Sequence, residues 1–229
     1  VTVSLDSLDP AVFAHMSGGR GDLPAVLKGI DAACATGFAG GVKINTVVQR
    51  GVNDAGVPDI LARFRNTGVT VRLIEYMDVG NRNGWERADV VPSGELRARI
   101  AARWPLEALP PRYRGEVARR YRYVDGAGEI GFVSSVSEPF CGMCARARLS
   151  SDGKLYTCLF ATTGMDLRAL LRGNTCDVAV DERLRTILSR VWRHRTDRYS
   201  EQRMHSRSSR PGTGKASDRG KIEMHYIGG

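Results

Sequence analysis

The sequence predicts an α/β protein in which a first half of alternating strands and helices is followed by a smaller, hairpin-rich half. Strand-like and helix-like segments alternate up to about residue 111, whereas turn-flanked strand pairs dominate from residue 112 onward. Hydrophobic residues make up 42% of the 229 residues, which is enough to form a buried core. We therefore expect two domains, at residues 1–111 and 112–229.

The first half is organised as repeated strand–helix–strand units. Strands are predicted in "VTVSLD", "GVKINTVV" and "VTVRLIEYM", and helices between them in "DLPAVLKGIDAAC" and "VPDILARF". Strands that alternate with helices at this spacing form parallel sheets, whose ligand sites lie at the carboxyl ends of the strands. Ser4, Lys43 and residues 72–77 are therefore candidate site residues. Because three strands make neither a closed barrel nor a comfortable open sheet, we expect further strands before Val1, with an unusual small α/β domain as the alternative.

The second half begins after a predicted helix in "VVPSGELRARIAARW". Two hairpins are predicted, one around residues 125–128 and one around Asp152-Gly153, a dipeptide favoured in tight hairpin turns. Two helices follow, the first in "MDLRALLR". The second, longer helix carries an apolar stripe for which we predict ordinary core packing: Leu184, Ile187, Leu188, Val191 and Trp192.

Charge and hydropathy limit the classes of protein to which the chain can belong. The net charge of +9 favours nucleic acid, phosphate-rich ligands or an anionic surface as partners. Residues 203–221 contain six Lys or Arg and one acid, and we predict a solvated linker there. No apolar run approaches the roughly 20 residues that span a bilayer, and the first residues do not follow the order of a signal peptide. We expect a cytoplasmic protein with no membrane partner.

The five cysteines predict a metal or redox site, because their odd number and uneven spacing do not suit a disulfide framework. Cys141, Cys144 and Cys158 form the pattern Cys-x2-Cys-x13-Cys, and the second hairpin returns Cys158 toward the other two. Three thiolates could hold a four-iron cluster in which one iron stays open to a ligand. With Cys176 as a fourth ligand, the same residues could hold structural zinc. Spacing alone leaves both alternatives open.

Two arginines follow the Cys-x2-Cys element. Arg146 and Arg148 alternate on the predicted strand that leaves Cys144, so both side chains should point to one face near the metal. Two guanidinium groups there would suit a phosphate or carboxylate ligand held by paired hydrogen bonds. On periodicity alone, however, a solvated hairpin face is the better interpretation.

Taken together, these segments resemble the GTP 3′,8-cyclases, the radical S-adenosylmethionine enzymes that begin molybdenum cofactor biosynthesis. The similarity covers nearly the whole chain, and its most specific part is the cysteine pattern with Arg-x-Arg directly behind it. It is carried by "VSLDSLD", "VKIN", "RGVND", "RLIEYMDVGNRNGW", "SVSEPFCGMCARARLSSDGKLYTCLFAT" and "YIGG". The resemblance favours an iron–sulfur cluster over zinc and makes Cys176 an incidental thiol.

The resemblance implies a fold and a set of site residues. The fold is a partial TIM barrel followed by a domain that binds a second 4Fe-4S cluster through Cys141, Cys144 and Cys158. GTP would be bound by Lys43, Arg72, Arg146, Ala147 and Arg148, and S-adenosylmethionine by Ser4 and Met77. Gly228 and Gly229 match a glycine tail that reaches into the active site and supports activity. A homodimer is also a candidate assembly, whereas nucleic acid is not expected as a partner.

The resemblance also implies the chemistry of the complete enzyme. Members cleave S-adenosylmethionine reductively at a first cluster, and the resulting radical takes a hydrogen from C3′ of GTP before the sugar attacks C8. That first cluster needs a Cys-x3-Cys-x2-Cys motif, which these 229 residues do not contain. We therefore expect the chain alone to be inactive, to contain no catalytic residue and, because a half barrel exposes strand edges, to be poorly soluble. The alternative function is a zinc-ribbon module that binds nucleic acid.

Overall fold

A computed structural model describes residues 1–79, 84–172, 177–206 and 222–227. The chain packs as two compact units: unit 1 comprises Val1–Met77 and Trp85–Phe140, and unit 2 comprises Asp78–Gly84 and Cys141–Gly229. This division lies later in the chain than the predicted boundary at residue 112, because the first predicted hairpin joins the sheet of unit 1. Three predicted features lie outside the described residues: Cys176, most of the basic stretch (207–221), and the terminal Gly228 and Gly229.

Unit 1 contains six strands and four helices among the described residues. In chain order they are β1 (Thr2–Ser4), α1 (Pro10–Met16), α2 (Leu23–Thr36), β2 (Lys43–Val48), α3 (Val57–Phe64), β3 (Thr70–Glu75), α4 (Ser93–Arg103), β4 (Leu106–Ala108), β5 (Arg119–Tyr123) and β6 (Glu129–Val133). The helix boundaries follow local chemistry. Asp22 caps α2 by accepting a hydrogen bond from the Ala25 amide at 3.1 Å, and Gly37 ends the helix with a φ of 69°.

The strands of unit 1 form one mixed sheet in the order β1-β2-β3-β6-β5-β4. β1, β2, β3 and β6 pair in parallel, whereas β5 pairs antiparallel with both β6 and β4. The predicted α/β class and the three parallel strands are confirmed. The hairpin predicted around residues 125–128 is confirmed, with β5 and β6 as its strands. The buried Ile130, Gly131 and Phe132 of β6 also pair with β3, which makes β6 a fourth parallel strand that was not predicted.

One face of this sheet is packed into the hydrophobic core. Alternate residues of β2 and β3, Ile44, Val48, Val71 and Leu73, are buried there. The same core contains buried residues from the helices: Ile30 of α2, Ile60 and Leu61 of α3, and Leu96 and Ile100 of α4. Because side chains alternate along a strand, the opposite face carries the residues between these, which are mostly polar: Thr2, Ser4, Lys43, Asn45, Val47, Thr70, Arg72 and Ile74.

Unit 2 contains a three-stranded antiparallel sheet and three helices among its described residues. The strands are β7 (Arg148–Leu149), β8 (Lys154–Tyr156) and β9 (Met165–Asp166), and the helices are α5 (Arg168–Leu171), α6 (Asp177–Arg193) and α7 (Tyr199–Ser206). The predicted Asp152-Gly153 hairpin is confirmed, with Gly153 at a φ of 82°. No helix in the described part of the chain is both long and apolar enough to cross a membrane.

Two predictions for the helices of unit 2 are wrong. Met165 and Asp166 pair with β8 as a strand, so the helix predicted from Met165 begins only at Arg168. The apolar stripe of α6 is also not part of the core. Trp192 is 42% exposed, and the other four residues of the stripe are only half-buried. Periodicity identified the apolar side of this helix, but it does not determine how completely that side is covered.

Candidate functional site

The three predicted cysteines are brought together in unit 2. Cys141 begins a 3-10 turn, Cys141–Met143, which the Cys144 amide closes by donating to the Cys141 carbonyl at 3.2 Å. The hairpin of β7 and β8 then returns the chain to Cys158. All three are free, half-buried thiols. Burial raises the pKa of Cys158, and the nearby charges of Asp197 and Cys141 add to that effect.

Arg146 lies directly against this cysteine set. Its Nε donates to Sγ of Cys144 at 3.3 Å. Burial opposes ionisation of Cys144, yet the hydrogen bonds from Arg146 bring the pKa of this thiol below its usual value. Arg146 precedes β7 in an irregular stretch, so the prediction that it alternates with Arg148 on one strand is wrong. Its side chain turns back toward the cysteine that precedes it.

Arg148 begins β7, and the exposed Ala147 separates it from Arg146. Burial lowers the pKa of the Arg148 guanidinium and the charge of Arg146 lowers it further, whereas Cys144 and Cys158 oppose the change. The two arginines and at least two of the thiols are therefore close enough to interact through their charges. Two arginines beside a set of thiolates suit an anionic ligand, because the guanidinium groups offset the negative charge of that ligand.

The donor chemistry of this set fits an iron–sulfur cluster. It consists of thiols alone, which are soft ligands, and positive side chains that can balance thiolate charge surround them. In the part of the chain that the structure describes, no three Cys, His, Asp or Glu side chains are gathered closely enough to hold a single metal ion. A 4Fe-4S cluster does not require such a cage, since each cysteine binds a different iron atom.

A second group of candidate residues lies on the polar face of the sheet in unit 1. Strand register aligns Ser4, Asn45, Arg72 and Gly131 in one row across β1, β2, β3 and β6. Two residues earlier, Thr2, Lys43 and Thr70 form a parallel row. Since laterally paired residues point to the same side of a sheet, these side chains share what we call the open face. The structure therefore brings Ser4, Lys43 and Arg72 together on one face.

The position of Lys43 along its strand differs from the prediction. Lys43 is the first residue of β2, and Arg72 lies within β3, whereas only Ser4 and Met77 lie at or just beyond the carboxyl end of a strand. The Lys43 ammonium donates to the Gly40 carbonyl at 3.2 Å. The prediction that Lys43 lies at the carboxyl end of its strand is therefore wrong. Lys43 lies near Arg72 because both side chains are on the open face of the sheet.

Arg72 is a half-buried cation on the open face. Its Nη2 donates to Oγ1 of Thr2 at 3.2 Å, while its buried Nε makes no hydrogen bond. Burial lowers the pKa of its guanidinium, against the opposing effects of Tyr113 and Glu116. Among the described residues, no carboxylate lies within ion-pairing distance of Arg72.

Two neighbours of Arg72 explain its setting. A Cβ added to Gly131 would lie 3.2 Å from Cγ of Arg72, so glycine leaves room for the arginine side chain. Asn45, its partner on β2, has a buried Oδ1 that makes no hydrogen bond. Asn45 was not among the predicted site residues, although the alternation of "VKINTVV" places it on the same face as Lys43. A buried donor and acceptor side by side, each without a hydrogen bond, suit a polar ligand.

Comparison with known protein families identifies the chain. The family model described as Molybdenum Cofactor Synthesis C matches residues 69–201, more than half of the sequence. The chain belongs to the Molybdenum Cofactor Synthesis C family. The matched region contains Arg72 on the open face and the complete Cys141, Cys144 and Cys158 set, so the resemblance seen in the sequence is confirmed.

Three curated relatives of this Molybdenum Cofactor Synthesis C chain are named GTP 3′,8-cyclase. The chain is 49% identical over 241 residues to a GTP 3′,8-cyclase of Acidothermus cellulolyticus, a match that covers all of the chain and 66% of that relative. It is 52% identical over 229 residues to a GTP 3′,8-cyclase of Xanthomonas axonopodis pv. citri, and 44% identical over 239 residues to one of a Synechococcus strain. The chain covers 64% of each of these two, and thus spans about two thirds of the length of its curated relatives.

Proposed function

We propose that this chain forms the GTP-binding and second-cluster part of a GTP 3′,8-cyclase of molybdenum cofactor biosynthesis. The observation that supports this most strongly is the convergence of three half-buried thiols with Arg146 and Arg148 in unit 2. Relatives named GTP 3′,8-cyclase match the chain over its whole length. The parallel pairing of four neighbouring strands, β1, β2, β3 and β6, supports the further proposal that unit 1 is part of a TIM barrel.

In this proposal, the cysteine set binds a 4Fe-4S cluster. Cys141, Cys144 and Cys158 would be its ligands, and the cluster would supply one open iron position to the guanine base of GTP. Arg146 and Arg148 supply positive charge beside that position, and Ala147 belongs to the same contact segment. The hydrogen bond that Arg146 donates to Cys144 also helps to hold this ligand as a thiolate, the form that binds metal.

The open face is proposed to bind the polar parts of GTP and S-adenosylmethionine. Lys43 and Arg72 would contact the triphosphate, since both are cations without a carboxylate partner among the described residues. We add Asn45, whose unbonded Oδ1 lies in the same row as Arg72. Ser4 and Met77 are proposed contacts of S-adenosylmethionine. The glycine tail, Gly228 and Gly229, a homodimer and a cytoplasmic location stay predictions from the sequence.

The first test is iron uptake by the chain under anaerobic reconstitution. We expect brown protein with broad visible absorption and matching iron and sulfide contents, and we expect Cys158→Ser to lose most of both because one thiolate ligand is removed. Cys34→Ser is the matched control, since Cys34 is an exposed thiol on α2. Colourless protein that holds zinc through these cysteines would contradict the proposal and favour the zinc-ribbon alternative.

The second test concerns Arg72. With cluster-loaded protein, Arg72→Gln is expected to weaken GTP binding about 10- to 100-fold in titration calorimetry, the usual effect of losing a hydrogen bond to a charged group. Arg63→Gln removes an exposed arginine of α3 and should leave GTP affinity unchanged. Equal affinities for the parent chain and Arg72→Gln would remove Arg72 from the proposed site.

A further inference from the structure

We infer that residues 195–201, which contain no cysteine, hold the three cysteine segments in register, and that Arg195 and Asp197 are positioning residues for the cluster. This segment joins α6 to α7 and includes the first turn of α7. The inference rests on the proposed function, because it concerns how the chain holds the cluster that we propose for Cys141, Cys144 and Cys158. It adds residues that the sequence pattern did not indicate.

Two side chains of the segment connect the second cysteine with the third. Nη1 of Arg195 donates to the Cys144 carbonyl at 2.5 Å. Oδ2 of Asp197 accepts a hydrogen bond at 2.5 Å from the hydroxyl of Thr157, the residue directly before Cys158. Nε of Arg195 forms an ion pair with the same Asp197 oxygen at 3.3 Å, without a hydrogen bond. Cys144 and Cys158 are thus joined through one arginine–aspartate pair.

The same segment reaches the first cysteine and the chain beyond the third. Oε1 of Glu201 accepts a hydrogen bond at 3.2 Å from the amide of Gly142, next to Cys141. Arg198 pairs with the other Glu201 oxygen at 2.9 Å. The ring of Tyr199 stacks on that of Phe160, two residues after Cys158, with centroids 4.4 Å apart. Each of Cys141, Cys144 and Cys158 therefore is, or lies next to, a residue that this one short segment contacts.

The cysteine segments need such external support because of their local structure. Residues 144–147 lie outside any helix or strand, and β7 and β8 are only two and three residues long. The Arg195 side chain is 11% exposed, so its contacts are largely shielded from water. Side chains that orient metal ligands in this way commonly change metal affinity 10- to 100-fold when they are replaced.

The test compares four single variants of the full 229-residue chain after anaerobic reconstitution. Arg195→Gln and Asp197→Asn remove the charges of the linking pair, while Arg193→Gln and Asp181→Asn remove exposed charges of the same kinds from α6. We expect iron loss to a chelator to be about 10-fold faster or more in the first two, and the electron paramagnetic resonance signal of the reduced cluster to change. The two controls should behave as the parent chain does.

Two further measurements separate positioning from loss of fold. Arg195→Lys restores the charge and one donor, so it should recover part of the cluster stability and the parent signal. In the double variant, Arg195→Gln with Asp197→Asn, iron loss should be scarcely faster than in the worse single variant, because the two side chains act as one link. Additive effects, or iron loss and signals equal to the parent's, would overturn the inference while leaving the proposed function intact. A parent chain that takes up no iron would overturn both.

Discussion

Glu75→Ala is expected to lower the free energy of unfolding by about 3–5 kcal/mol, because it removes the acceptor for several buried donors at once. Glu75 is the last residue of β3 and is fully buried. Its carboxylate accepts hydrogen bonds from the amides of Ser93, Val136 and Ser137 at 2.7, 2.8 and 2.7 Å, and from the Ser137 hydroxyl at 2.5 Å. Alanine would leave these groups buried without that partner.

The setting of Glu75 explains why a carboxylate is tolerated in the core. Ser93 is the first residue of α4, so the charge lies at the positive end of a helix dipole. Glu75 does not pair with Arg72 of the same strand, because residues three apart on a strand point to opposite faces. Glu75 therefore joins β3 to α4 and to the chain after β6, all within unit 1.

Urea unfolding measures this prediction. Glu75→Gln keeps the shape and one acceptor oxygen, so its loss of stability should be smaller than that of Glu75→Ala. Glu107→Ala is the control, since Glu107 is a half-exposed residue paired with Arg122 at the surface and should cost less than about 1 kcal/mol. A Glu75→Ala protein as stable as this control would show that the buried hydrogen bonds contribute little.

Local patterns predicted most of unit 1 but not the order of its sheet. Alternation in "VKINTVV" and "VTVRLIEYM" identified strands and the residues that share a face, because a period of two is encoded in neighbouring residues. The same local pattern in "EIGFV" fits a hairpin strand and a central parallel strand equally well. Its pairing with β3 joins Val71 to Ile130 across a long stretch of chain, which no local pattern specifies.

Part of the candidate site was also predicted from local sequence, whereas the rest depends on tertiary packing. Cys141 and Cys144 lie in one short element and the Asp152-Gly153 turn returns Cys158, so sequence spacing predicted that the thiols meet. Residues 195–201 contain no metal-binding side chains in a recognisable spacing, and their contacts to Gly142 and Thr157 depend on tertiary packing. The prediction that Lys43 lies at the carboxyl end of β2 was wrong, because Lys43 is the first residue of that strand. The residues of the open face are brought together by the pairing register of the strands.

Arg203→Met is expected to destabilise unit 2 by about 3–5 kcal/mol, the usual result when one partner of a buried ion pair is removed. Arg203, on α7, forms an ion pair with Asp78, and both side chains are less than 10% exposed. The Tyr199 hydroxyl donates to the other Asp78 oxygen at 2.7 Å, and the Arg203 guanidinium lies 5.6 Å from the centre of the Phe160 ring. Methionine fills similar volume but leaves the Asp78 carboxylate buried without the guanidinium.

Backbone hydrogen exchange of Tyr199–Ser206 measures this effect where it arises. Exchange should be faster in Arg203→Met and unchanged in Arg193→Met, which removes an exposed arginine of α6. Adding Asp78→Asn to Arg203→Met should recover stability, because a neutral amide costs less to bury than an unpaired carboxylate. Since α7 also carries Tyr199 and Glu201, Arg203→Met should speed iron loss from the cysteine set as well. Faster exchange in α7 with unchanged iron retention would show that the stability of α7 does not affect the cluster. That result would contradict the role inferred for residues 195–201.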